Sequence, residues 1–531
     1  MHRQIAVGLF VAGISATARA QQAAGAQQGN DPSNVLAARV QQVMDRPEFK
    51  HAFFGIAFYS LGDKRMVWSQ NADKLFVSAS TTKLLTEGTA LQLLGADYRF
   101  HTRVYRTGRL NGGTVEGDLV LVGVGDPNLS GRIQPGDKLA FENEDHAYDG
   151  SPDTRAVPGD PLAVIRELAT QVAAKGIKRV TGRVLVDASL FKEGERELGT
   201  GVVISPIIVN DNLVDLTIGA GPQAGAPTTV QVSPASPYVK FVNKSTTGAA
   251  GSRPSITWSS DVTDPDGTHT VTISGTFPAD KQPILFSYAV PEPSRFAEVV
   301  FADALRAQGV AVNLATAAAQ KEYHGAPSAY TAENVVAEHV SPPLSEEVKV
   351  TLKVSQNLHA STTPFIVKSV LARADSSKTG FDLEHDFLQR AGLDLSGAQQ
   401  TDGAGGDARF SPNFMVHYLE YMSKQPSFGS FEQALPILGK DGTLFNIQTS
   451  SPAAGHVFAK TGTLGGYDAL NRKQLVSAKG LAGFLTTPSG KQYAIALYVN
   501  NVAVSLDPEE ITRVVGQALG EIAAIGYATL P

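Results

Sequence analysis

The sequence predicts a mixed α/β (α+β) protein, with one domain assembled from both ends of the chain around a β-rich insert. Two observations carry this reading. Apolar residues at helical spacing dominate the beginning and the end of the chain, while residues 99–285 alternate short strand-like runs with Gly, Pro, Asn and Asp clusters. Strand-like runs also occur near both ends, at 53–60 and 65–69 and again at 481–487 and 492–500, so one sheet can be built from both. At 531 residues the chain has room for two to four domains, and it contains no internal repeat.

In order, the polar stretch 21–32 reads as a flexible leader, and Val35-Leu36 with Val40 and Val43 form a helical stripe after it, with Ser33 as a cap. Strands are predicted over 53–60 and 65–69 with a turn at Gly62-Asp63, followed by a helix over 78–94 that stops at Gly95. Within the β-rich block, strands are predicted over 114–124, 179–186, 211–218, 228–232 and 268–275, with one helix over 161–175. Pro265-Asp266-Gly267 marks a hairpin turn. Helices return over 293–309, 345–372, 381–391 and 412–423, and a last helix covers 508–525. The expected organisation is 1–20 as a signal peptide, about 30–98 and 286–531 as one catalytic domain, and 99–285 as an insert of two smaller subdomains.

The first 20 residues carry a short positive start (Arg3), an apolar run over 5–14 and a small-x-small site, Ala18-Arg19-Ala20. That pattern predicts export, with a periplasmic or otherwise extracytoplasmic location. No later segment offers the roughly 18 uninterrupted apolar residues of a membrane span. Cysteine is absent, which removes disulfides, thiolate metal sites and a cysteine nucleophile. The net charge of −6, about −8 once Arg3 and Arg19 leave, argues against nucleic acid as a partner.

Three short patterns carry chemistry: Ser80-Thr81-Thr82-Lys83, Ser355-Gln356-Asn357 and Lys460-Thr461-Gly462-Thr463. Each has decoys, among them Ser189-Leu190-Phe191-Lys192 and Lys378-Thr379-Gly380. Context selects between them. Ser80 falls in the first turn of a predicted helix, where free N–H groups favour a developing oxyanion, and Lys83 at i+3 shares its face. A lysine in an apolar, cation-lined site loses its proton readily and can serve as base. Ser189 instead follows a strand and precedes a polar stretch. Lys460 follows a strand-like run, whereas Lys378 lies in a polar loop between helices. A glycine at 462 on an edge strand would let a substrate backbone lie alongside, with Lys460 charge for a terminal carboxylate and Thr461 and Thr463 hydroxyls beside it.

The joint occurrence of the three patterns is the signature of penicillin-recognising enzymes. The chain resembles the class C low-molecular-mass penicillin-binding proteins, three-domain D-Ala-D-Ala carboxypeptidases that are also endopeptidases. The stretches NADKLFVSASTTKLLT (71–86), VEGDLVLVGVGDPNLS (115–130), SPPLSEEVKVTLKVSQNLHA (341–360), DGAGG (402–406), LPILGKDGTL (435–444) and AKTGTLGG (459–466) carry the likeness. The 271 residues between Lys83 and Ser355 match that family's inserted domains and exceed the gap of β-lactamases.

The resemblance implies a serine transpeptidase-like catalytic domain, an antiparallel sheet of about five strands flanked by helices. It implies Ser80 as nucleophile and Lys83 as its helper, Ser355 as proton shuttle, Asn357 as substrate holder and Lys460 as carboxylate binder. The backbone N–H groups of Ser80 and Thr463 would form the oxyanion hole. It further implies peptidoglycan stem peptides as substrates, β-lactams as covalent inhibitors, and no metal or organic cofactor. Gln356 departs from the Asp or Asn usual at its position. DGAGGDAR (402–409) departs from the usual loop, Ser361 stands where an acidic residue is common, and 468–479 adds polar residues after the third motif.

Other features read more plainly. Asp261, Asp264, Asp266 and His269 are expected in a hairpin and not around a metal, and Glu142-Asn143-Glu144-Asp145-His146 in a solvated loop. The rival functions are a β-lactamase or esterase on the same scaffold, and a non-catalytic peptidoglycan-binding paralogue.

Overall fold

The computed structural model describes residues 32–507 and 509–531. The expected signal peptide, and the expected leader apart from Pro32, lie outside the described residues. No helix among the described residues is long and apolar enough to cross a membrane.

Both ends of the chain meet in one antiparallel sheet. Its strands are β1 (Phe53–Ser60), β2 (Arg65–Gln70), β3 (Val457–Asp468), β4 (Lys473–Thr486) and β5 (Gln492–Val504), in the order β2-β1-β5-β4-β3. β1 is apolar at nearly every position because helices cover both of its faces. Side chains alternate across a strand, so Ile56 and Phe58 join Ile495 and Leu497 against α1 (Pro32–Met44) and the C-terminal helix Gln517–Thr529. Ala57 and Tyr59 point the other way, with Ala494 and Ala496, onto α2 (Lys83–Leu94) and the helix Pro412–Met422. The small residues on that face bring α2 close to the sheet. β3 is left as an edge strand.

The insert is more mixed than expected and ends later. Its largest sheet has seven strands: Val335–Val340, His101–Arg106, Leu119–Val122, Arg179–Asp187, Thr114–Glu116 and Arg109–Asn111 in that order, with Ala311–Leu314 beside Arg179–Asp187. Leu119–Val122 and Arg179–Asp187 pair in parallel across the helix Ala163–Ala174, a βαβ crossover. The helix Pro293–Ala307 packs on the same core through Phe296, Val300 and Phe301. Residues 286–340, expected in the second catalytic segment, therefore belong to the insert: their apolar stripe fits a sheet that starts at His101, and amphipathicity alone does not say which sheet a helix covers. The smaller sheets Thr229–Ser233/Leu213–Gly219/Ile284–Ala289 and Val239–Asn243/His269–Ser274/Thr257–Thr263 complete it. His269 and Asp261 do sit in a hairpin, joined by a 2.7 Å hydrogen bond.

The chain leaves and re-enters the catalytic half at one place. His101 pairs with Val340, and Leu344 and Ser345 donate their N–H groups to the carbonyls of Tyr98 and Ala96. The single helix predicted over 345–372 is two helices, α3 (Leu344–Val354) and α4 (Asn357–Leu371), broken where Ser355 takes φ 64° and ψ 36°.

Candidate active site

Ser80 lies in a 3₁₀ turn, Ala79–Thr82, that runs directly into α2. The turn is tied from within, since the hydroxyls of Thr81 and Thr82 donate to the carbonyls of Ser78 and Ala79 at 2.9 and 2.8 Å. Ala79 holds a positive φ of 47°, a conformation that costs an alanine on the order of 1 kcal/mol and persists only when its surroundings enforce it. β3 enforces it from one side. A Cβ on Gly462 would stand 2.5 Å from the Ser78 carbonyl oxygen and 3.1 Å from the Ser80 nitrogen. The glycine therefore serves the close approach of strand and serine turn, which corrects its expected use as room for a substrate backbone.

Lys83 is fully buried, one helical turn on from Ser80. Its Nζ donates to Ser80 Oγ at 3.1 Å, to the Ser355 carbonyl at 2.7 Å, to Ser355 Oγ at 3.0 Å and to Asn357 Oδ1 at 2.5 Å. Burial pulls its pKa down to about 7, against the opposing pull of Glu197, Glu87 and Asp402. An ammonium has three protons for these four oxygens. A neutral amine has two, which the two oxygens that can only accept (the Ser355 carbonyl and Asn357 Oδ1) take up, leaving its lone pair for a hydroxyl.

The break at Ser355 turns its side chain and that of Asn357 toward Lys83. The Ser355 carbonyl accepts a second hydrogen bond, 2.5 Å, from the Tyr148 hydroxyl. Gly199 lies over Asn357: a Cβ there would come 2.0 Å from Asn357 Nδ2. Both Tyr148 and Gly199 come from the insert. On β3, Thr461 Oγ1 donates to Thr443 Oγ1 at 2.6 Å, and Thr463 Oγ1 accepts from Lys479 Nζ at 2.7 Å. These groups line one cleft of about 500 Å³, with Ser80, Tyr148, Ser355, Asn357, Thr463 and Lys479 among its walls. Lys460 is not among them. It is fully buried beneath β3, its Nζ donates to the Thr461 carbonyl at 2.7 Å, and burial, then Lys83 and Lys479, hold its pKa well below the ordinary lysine value. Its expected direct contact with a substrate carboxylate is not open to it in this arrangement.

Gln356 points away from the cleft. Its Nε2 donates to Asp145 Oδ1 at 3.1 Å and to Asp211 Oδ2 at 3.4 Å, inside a buried charged network between insert and catalytic half. There Arg132 bridges Asp145 and Asp211 at 2.5 and 2.6 Å, His146 bridges Asp211 and Asp215 at 2.8 Å each, and His359 joins Asp211 to Glu347 at 2.9 Å each. Burial alone would raise Asp211, but Arg132 and His359 outweigh it and hold the carboxyl well below its usual range. Asp145, His146 and Asp211 offer ligand atoms within 4.8 Å of one another, yet the Arg132 guanidinium already stands as their cation. The solvated loop expected at 142–146 is thus corrected: Asp145 and His146 are buried, and Asn143 and Glu144 line the cleft.

The decoys lie elsewhere. Thr379 caps the helix Gly380–Arg390 and Lys378 pairs with Asp386 at the surface, while Ser189 follows the strand Arg179–Asp187 and lies outside the cleft that holds Ser80.

Residues 36–519 match the D-Ala-D-Ala carboxypeptidase 3 (S13) family. The chain belongs to this family. The S13 family assignment makes it a serine hydrolase acting on the D-Ala-D-Ala bonds of peptidoglycan. It is similar to the D-alanyl-D-alanine carboxypeptidase of Actinomadura sp. strain R39, 27% identical over 457 residues that span 81% of this chain and 77% of that protein. It is 24% identical over 473 residues to the D-alanyl-D-alanine carboxypeptidase DacB of Haemophilus influenzae, spanning 86% and 87% of the two chains. The fold matches the crystal structure of penicillin binding protein 4 (dacB) from Haemophilus influenzae with a TM-score of 0.70 at 20% identity, over 92% of this chain and 99% of that one. A complex of the same protein with a β-lactam gives 0.67.

Sequence reasoning missed Tyr148, Thr443, Lys479 and the orientation of Gln356. Thr443 lay within LPILGKDGTL without standing out as a site residue. Tyr148 gave no local signal, because its role depends on the insert folding back over Ser355.

Proposed function

We propose that the chain cleaves the terminal D-Ala-D-Ala bond, and related cross-link bonds, of peptidoglycan stem peptides through an acyl-enzyme on Ser80. Neutral Lys83 takes the Ser80 proton as Oγ attacks the penultimate D-Ala carbonyl. The backbone N–H groups of Ser80 and Thr463 receive the oxyanion, where one such donor is worth about 3–4 kcal/mol in comparable enzymes. Ser355 passes a proton to the departing amine while Asn357 holds the peptide amide. Thr461 and Thr463 meet the terminal carboxylate. Water then enters, gives a proton back through Lys83 and frees the acyl peptide as a carboxylic acid. β-Lactams present the same carbonyl and acylate Ser80 in its place. The chain acts outside the cytoplasm, as its N-terminal 20 residues suggest.

One observation supports this above the others: a single amine, Lys83 Nζ, contacts Ser80 Oγ, Ser355 Oγ and Asn357 Oδ1 together. The test is a fluorescent penicillin. Wild type should be labelled covalently and Ser80→Ala should not; equal labelling of the two removes the mechanism. Slow release of the label, over many minutes, separates a DD-peptidase from a β-lactamase on the same scaffold.

A further inference from the structure

We infer that Lys479 is the cation that recognises the substrate's free terminal carboxylate in this chain, a role its third motif cannot discharge through Lys460. The inference rests on the acyl-enzyme reading above and adds a specificity residue to it, a cation that joins the Thr463 hydroxyl.

Four observations converge. Lys460, the cation supplied by the motif, is sealed under the strand and spends a proton on the Thr461 carbonyl. Lys479 sits on the neighbouring strand β4 directly across from Thr463, and both line the cleft that holds Ser80. Its Nζ already donates to Thr463 Oγ1 at 2.7 Å, so a carboxylate brought to the Thr463 hydroxyl arrives within reach of the ammonium as well. Lys479, half-buried in the cleft wall, has no ion-pair partner among the described residues. An unpaired ammonium bonded to the Thr463 hydroxyl, beside an edge strand, is a receptor for one carboxylate.

The stretch after the third motif carries polar residues over 468–479 and folds as an extension of the β3–β4 hairpin, in which Asp468 stands opposite Lys473. Lys479 lies on the cleft side of that extension. The Thr463–Lys479 pair thereby places a charge over the position that the terminal carboxylate must occupy if the scissile carbonyl is to reach Ser80.

The test compares two substrates on one enzyme: an acylated peptide ending in D-Ala-D-Ala with a free carboxylate, and the same peptide as its carboxamide. In Lys479→Gln the ratio of kcat/KM for carboxylate over carboxamide should fall about tenfold, the size of one lost charge-assisted hydrogen bond, and Lys479→Arg should restore most of it. A ratio that stays within twofold of wild type in Lys479→Gln, with Ser80 still labelled by fluorescent penicillin, overturns the role of Lys479 and leaves the acyl-enzyme reading standing. Absence of labelling in wild type overturns both. A general loss on the two substrates alike marks Lys479 as a support for Thr463 and likewise refutes the inference.

Discussion

With Lys83 as the proposed base, acylation becomes a titration of one buried amine. Moving it from 10.5 to about 7 corresponds to a net penalty of roughly 5 kcal/mol on the ammonium, lost solvation less the pull of the nearby carboxylates, at about 1.4 kcal/mol per tenfold change. At pH 7 about half of the molecules then hold a free base, where an ordinary lysine would offer roughly one in 3,000. Because only the neutral form accepts the Ser80 proton, acylation should rise with pH along a limb centred near 7 and fall about 90-fold from pH 8 to pH 5. The perturbation is Glu197→Gln. Glu197 is the largest of the charges that pull Lys83 back up, so its removal should move the limb to lower pH. The assay is the time course of covalent labelling by a fluorescent penicillin between pH 5 and 9, read in a single turnover. A flat profile, a limb near 10, or an upward move in Glu197→Gln would refute Lys83 as base.

Three further outcomes are expected. Gly462→Ala must push β3 and the Ser80 turn apart, since its methyl would lie 2.5 Å from the Ser78 carbonyl oxygen; labelling should slow at least about tenfold with a stability loss of about 1–3 kcal/mol in urea, and an unaffected rate contradicts the packing argument. Arg132→Met strips the shared cation from Asp145 and Asp211 and should cost about 3–5 kcal/mol in denaturant unfolding; a neutral change would mean the network is not held by that guanidinium. Burial lowers the pKa of His359, but Glu347 and Asp211 outweigh it and raise the group to about 10. Its folded value lies above the unfolded one of about 6.5, so its stabilisation is complete below that pH and is lost as pH rises toward 10. The stability gap between wild type and His359→Gln should therefore shrink from pH 7 to pH 10, and a constant gap counts against the charged imidazole.

The three motifs were legible because each is local: Ser80 and Lys83 share a helical face, Ser355 and Asn357 flank one break, and Thr461 and Thr463 share one side of a strand. The sheet was legible for the same reason, from period-2 patterns at the two ends of the chain. What the sequence concealed is every relation that crosses between insert and catalytic half. Tyr148 reaches Ser355 over 207 positions, and Asp145 reads as a polar loop residue until Arg132 and Gln356 close around it. Lys460 was misplaced in depth and not in register: a strand's alternation says which side a residue takes, while which side opens to a cleft depends on what packs there. The break at Ser355 was hidden because nothing in SEEVKVTLKVSQNLHA, residues 345–360, punctuates a helix as glycine or proline would.

The single crossing at residues 96–101 and 340–345 has an architectural consequence. A long excursion that departs and returns through one hydrogen-bonded pair can grow at its far end almost without charge to the fold that carries it, since doubling a closed loop adds only about 0.6 kcal/mol. None of its strands belongs to the five-stranded sheet, so a cut at the pair would remove no strand from that order. The same cut would take away the phenol that holds the Ser355 carbonyl and the carboxylate that holds Gln356. The order of the sheet's strands is thus indifferent to the excursion, while the surroundings of Ser355 and Gln356 are built by it.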